Sequence, residues 1–84
     1  MREIKFRGEY ITLGQLIKKA GFVDTGGEVK WFLMETSIKV NGEHDNRRGR
    51  KLRDGDVVET EGKDTLRLVA AEPGATGDPA EDDE

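Results

Sequence analysis

Apolar residues along this chain follow two periods in turn. Ile4 and Phe6 alternate with Lys5 and Arg7, the rhythm of a strand with one covered face, and Gly8 ends it. Leu13, Leu16, Ile17 and Ala20 then follow the i, i+3, i+4, i+7 rule of a helix with one buried stripe. Thr12 stands where an N-cap belongs, Gln15 completes a capping box, and Gly21 fits the left-handed position that closes a helix. Lys18 and Lys19 fall off the stripe and are expected in water. A second helix is predicted after "DTGG". Thr25 and Glu28 repeat the capping-box spacing, Val29, Phe32 and Leu33 give its apolar stripe, and Thr36-Ser37 ends it. Trp31 and Met34 lie on a neighbouring face, where a lone tryptophan of so small a domain is expected to join the core.

From Ile38 the period returns to two. "IKVNGE" puts Ile38 and Val40 inward before the tight-turn pair Asn41-Gly42. Asp54-Gly55 marks another turn, and "DVVET" and "TLRLVA" read as strands separated by Gly62-Lys63-Asp64. The pattern predicts one α+β domain: a strand, two short helices, then a small antiparallel sheet. Its 84 residues suit one domain with a modest core.

Composition changes the picture at the C-terminus. From Glu72 the chain reads "EPGATGDPAEDDE", with six acids, no base, both prolines and no large apolar residue. Such a segment buries too little to offset its ordering entropy and is expected to be a disordered acidic tail, 72–84, beside a domain of 1–71. The whole chain carries a formal charge of -4, yet residues 1–71 hold all 14 Lys and Arg against 12 Asp and Glu, about +2. A basic body points to an anionic partner.

That charge is concentrated. In "VNGEHDNRRGRKLRDGD" (40–56), Arg47, Arg48, Arg50, Lys51 and Arg53 crowd one loop. Asp45, Asp54 and Asp56 are available as partners, but three acids cannot neutralise five bases. Arginine suits forked phosphate contacts and base stacking. Lying between two turns, Arg47, Arg48, Arg50 and Lys51 are expected to be exposed and dispensable for packing, with Leu52 anchoring the loop to the core.

Other chemistry is not encoded. Without cysteine there is no disulfide, thiolate metal site or cysteine nucleophile. His44, the single histidine, has no evident catalytic or metal partners. Asp54-Gly55-Asp56 lacks the further ligands of a calcium loop. No Ser/His/Asp set, P-loop or dinucleotide fingerprint is present, so neither enzyme activity nor a cofactor is expected. No apolar run has membrane-spanning length and no signal peptide is visible, so a cytoplasmic protein is expected.

Two capped helices, then "IKVNGE", a basic loop and "DGDVVE", resemble the S4 RNA-binding domain from about Thr12 to Glu59. Val40-Asn41-Gly42 and Asp54-Gly55-Asp56-Val57-Val58 carry the resemblance most specifically. "KWFL" (30–33) and "DNRRGRKL" (45–52) are similar to small stand-alone bacterial members. The resemblance implies an S4-like (alpha-L) fold whose helix pair and adjoining loop face RNA. S4 domains often carry an arginine beside the Ser/Thr opening the second helix. Here Gly26-Gly27 occupy that place, either admitting a phosphate to the helix N–H groups or merely shaping the turn.

The candidate RNA-binding residues are therefore Arg47, Arg48, Arg50 and Lys51, supported by Lys30 and Arg53, with Thr25, Gly26 and Gly27 at the helix start. The expected function is non-catalytic binding of structured RNA by a monomer, with ribosomal RNA, a ribosomal particle or tRNA as partner. The alternatives are a protein-interaction adapter or an RNA-delivery accessory subunit docking an acidic partner surface, and DNA in place of RNA, since phosphate contacts discriminate little.

Overall fold

Alternation at Ile4 and Phe6 becomes strand β1 (Arg2–Phe6) of a computed structural model that describes residues 1–71. The expected tail, 72–84, lies outside the described residues. There follow β2 (Ile11–Thr12), α1 (Leu13–Lys19), α2 (Gly26–Glu35), β3 (Ile38–Val40), β4 (Glu43–His44), β5 (Lys51–Leu52), β6 (Val57–Thr60) and β7 (Leu66–Ala70).

Both helices begin and end as their sequences dictate. Thr12 Oγ1 accepts the Gln15 N–H at 3.2 Å, and Gln15 Oε1 accepts the Thr12 N–H at 3.0 Å. Thr25 and Glu28 make the same reciprocal pair, and Glu28 Oε1 also takes the Asp24 N–H at 2.8 Å. At the far end of α1, Gly21 adopts φ 83°. The Phe22 N–H then reaches back to the Ile17 carbonyl and the Gly21 N–H to that of Lys18, a Schellman closure.

Five strands form one sheet in the order β1-β7-β6-β3-β4. All its ladders are antiparallel except β1 with β7, which is parallel from Arg2↔Leu66 to Phe6↔Ala70. The expected antiparallel sheet is thus a mixed one. Alternation reports which face of a strand is covered but not the direction of its neighbour. Only the long excursion through both helices lets the first strand return beside the last with the same polarity. A second departure is the two-residue ladder of β2 with β5, Ile11↔Leu52 and Thr12↔Lys51, inside what the sequence presents as irregular loop.

Ile4, Phe6, Ile38, Val40, Val58, Leu66 and Leu68 from the sheet share one cluster with Leu13, Leu16, Ile17, Val29 and Leu33 from the helices. Phe22 and Phe32 stack at its margin, ring centroids 5.8 Å apart. Trp31 departs from expectation: it is 60% exposed, and Met34, one turn on, is 62% exposed. The stripe through Val29 and Leu33 points inward, so residues 30, 31 and 34 are rotated to the outer side of α2.

Candidate nucleic-acid interface

The turn pairs around the basic segment are structural. Asn41 (φ 52°) and Gly42 (φ 89°) make the two-residue β3–β4 turn. The Asn41 side chain accepts the Val57 N–H at 2.9 Å and donates to Asp56 Oδ1 at 3.2 Å. Asp56 Oδ2 takes the Arg53 N–H at 2.8 Å, and Asp54 Oδ1 takes the Ala70 N–H at 2.9 Å. Asp54 and Asp56 therefore bond main-chain N–H groups and, for Asp56, the Asn41 side chain.

Between these turns the loop is fastened through its main chain. The Leu13 N–H donates to the Arg50 carbonyl at 2.8 Å and the Gly14 N–H to the Arg48 carbonyl at 2.9 Å. Two orphan donors of the first turn of α1 are thus satisfied by the basic loop. Leu52 is fully buried, so the expected anchor is in place. The loop is therefore held at its backbone and at one leucine.

Asp45 organises one side. Its side chain is 8% exposed and takes the Arg47 guanidinium with two bonds, Nε to Oδ1 at 3.1 Å and Nη2 to Oδ2 at 2.9 Å. The Arg50 Nη1 adds a third at 2.8 Å. These bonds, with the Arg47 guanidinium first, hold the Asp45 carboxyl well below the usual carboxylate range against an opposing desolvation cost, and Asp45 in turn raises Arg47. The Arg47 side chain is still 70% exposed, whereas Arg50 is only 29% exposed. Arg50 is therefore not the dispensable surface residue that its place in a loop suggests.

Lys51 and Arg53 flank Tyr10, with the Lys51 Nζ 5.0 Å and the Arg53 Cζ 5.9 Å from the ring centroid. Sequence reasoning missed Tyr10, because a residue forty positions away becomes a neighbour only through the β2–β5 ladder. Arg47, Arg50, Lys51 and Arg53 line one open cleft of about 740 Å³ with Gly49 and Asp56. Arg48 turns to the other side of Gly49. There it lines a second open cleft of about 630 Å³ with Thr12, Gly14, Gln15 and Lys18. The loop is thus a ridge with cations on both flanks.

The helix-2 candidates divide. Gly26 meets this ridge: a Cβ there would lie 3.3 Å from the Arg48 Nη2. Thr25 is occupied as the α2 cap, Gly27 is exposed in the first turn, and Lys30 is exposed beside Trp31 without lining either cleft. His44 lies within 3.4 Å of the Ser37 hydroxyl through Nδ1 on the exposed β4 strand. Among the described residues there is no cluster of His, Cys, Asp or Glu able to hold a metal ion, and no helix long and apolar enough to cross a membrane.

Comparison with known proteins agrees with this geometry. Residues 4–68 match the profile of the S4 domain. The chain is also similar to the probable ribosome maturation protein RlbA of Bacillus subtilis (strain 168). The two are 56% identical over 61 residues, which cover 73% of this chain and 86% of that protein.

Proposed function

Because this chain belongs to the S4 domain family, we propose that it binds structured RNA, without catalysing a reaction, through the ridge and the exposed face of α2. The observation that carries the reading is the ridge itself. Five cations stand on a loop pinned by its main chain, and the Asp45 carboxylate fixes two of them, Arg47 and Arg50. A cationic surface of fixed shape suits the phosphates of a folded RNA, whose deep narrow groove hides its base edges. Lys30 and the exposed Trp31 add a phosphate contact and a stacking surface on α2.

Similarity to a probable ribosome maturation protein favours ribosomal RNA or a ribosome assembly intermediate as the partner, ahead of tRNA. In this reading the protein acts as a cytoplasmic monomer. Titrating it with labelled ribosomal RNA fragments at several salt concentrations tests the proposal. About four to six phosphate contacts give a log K against log salt slope of roughly −3 to −5. A flat salt dependence rules out a phosphate-dominated interface, and partner binding that survives nuclease treatment of an extract favours the protein adapter instead.

A further inference from the structure

Gly14 occupies the second position of α1 and is buried, although glycine is a poor helix former there. What lies on it supplies the reason. A Cβ at residue 14 would stand 2.8 Å from the Arg48 Cγ and 3.4 Å from its Nε. Carbon atoms pack best at about 3.5–4.0 Å, so no side chain fits while Arg48 is in place. The contact is near the root of the arginine and not at its free end. It can be relieved only by rotating the whole side chain away or by moving the loop main chain. The main chain resists, because the Gly14 N–H bonds the Arg48 carbonyl at 2.9 Å and the neighbouring Leu13 N–H bonds that of Arg50 at 2.8 Å. From this seat the Arg48 side chain runs across the start of α1, and its Nη2 arrives 3.3 Å from the Cβ position of Gly26, the first residue of α2.

We propose that Gly14 is a positioning residue for RNA binding: the side chain it lacks is the seat that holds Arg48 across the starts of both helices, where its guanidinium meets an RNA phosphate. This rests on the reading of the ridge as an RNA-binding surface. Arginine has many rotamers, and fixing one on binding costs affinity, so a side chain seated beforehand binds more tightly.

The test uses the full chain, a fluorescently labelled fragment of bacterial ribosomal RNA, and four proteins: the parent, Gly14→Ala, Arg48→Ala and the double variant. Each single change is expected to weaken binding about tenfold and to reduce the salt slope by about one, the signature of one lost phosphate contact. The double variant is expected to bind no more weakly than Arg48→Ala alone. In the free protein, the Arg48 Nε–H signal is expected to show a rigid heteronuclear NOE in the parent and a mobile one in Gly14→Ala. If Gly14→Ala unfolds, the double variant decides, since removing the Arg48 side chain takes away the 2.8 Å clash and leaves the Arg48 carbonyl oxygen, at 3.4 Å, in ordinary contact with a methyl group. A double variant that folds and binds like Arg48→Ala supports the seat. One that also unfolds assigns Gly14 to main-chain packing and overturns it. Gly14→Ala with parental affinity and slope overturns the proposal, as does a double variant that loses the sum of both single losses. A parent that binds no RNA overturns the underlying reading and the role of the seat with it.

Discussion

Asp45 shows how one carboxylate can convert a repulsive sequence into an ordered surface. Arg47 and Arg50 are both bonded to its oxygens, so two cations three residues apart are held at fixed places. The carboxyl is depressed in the folded state, so its contribution is complete above the unfolded value of about 3.9 and is lost as pH falls toward the lower folded value. Asp45→Asn should therefore destabilise the protein near neutrality, by about 1 kcal/mol once solvent screening of the exposed arm is allowed for. The gap between variant and parent should narrow steadily below about pH 4. Urea melts at a series of pH values measure that gap, and a constant gap would show that the Asp45 charge is irrelevant. For the same reason, changing Arg47, Arg48 and Arg50 together to Ala is not a clean binding test. It strips a nearly buried carboxylate of its partners.

Two short elements separate folding from binding. In β5, Leu52 is fully buried against the shared core and pairs with Ile11, while Lys51 points to solvent. Leu52→Ala should cost roughly 2–5 kcal/mol, with binding lost only as the fold is lost. On α2, Trp31 faces outward, so Trp31→Ala should leave the melting temperature nearly unchanged. It should nevertheless weaken RNA binding by about 1–3 kcal/mol, the value of one stacked base. Thermal melts and RNA titrations of both variants check the contrast. A Trp31→Ala protein that binds like the parent would confine the interface to the ridge.

The charge of the whole chain is opposite in sign to that of residues 1–71. Residues 1–71 carry about +2, and the six acids beyond Ala71 bring the chain to -4. Ending the chain at Ala71 removes no large apolar residue. It should tighten RNA binding at low salt, with a gain that shrinks as added salt screens the acids. Titrations of both chains at two ionic strengths measure this. Equal affinities at low salt would leave the acidic segment without a competing role.

Much of this protein is settled by local physics. Capping boxes, apolar stripes, the Gly21 closure and the Asn41-Gly42 turn involve residues within a few positions of one another, so their preferences are legible in the sequence and both helices form where it places them. The core follows for the same reason, as does Leu52, the one apolar residue in a charged run. The family resemblance on Asn41-Gly42 and Asp54-Gly55-Asp56 falls on residues that hold turns together. Those motifs identify the fold, while the cations between them suggest the ligand.

Only the tertiary structure decided what depends on contacts between distant segments. The parallel β1–β7 pair, the β2–β5 ladder, Tyr10 between Lys51 and Arg53, and Arg48 on Gly14 each join segments more than thirty residues apart. Hydrophobic period carries no information about such pairings. Trp31 was illegible for a related reason: a fraction of a turn, about 100° per residue, separates a core position from an exposed one, and packing against the sheet sets that rotation. A charge count places five cations in one loop. It cannot show that a carboxylate orders two of them or that a second cleft receives Arg48, because both depend on where the folded backbone aims each side chain.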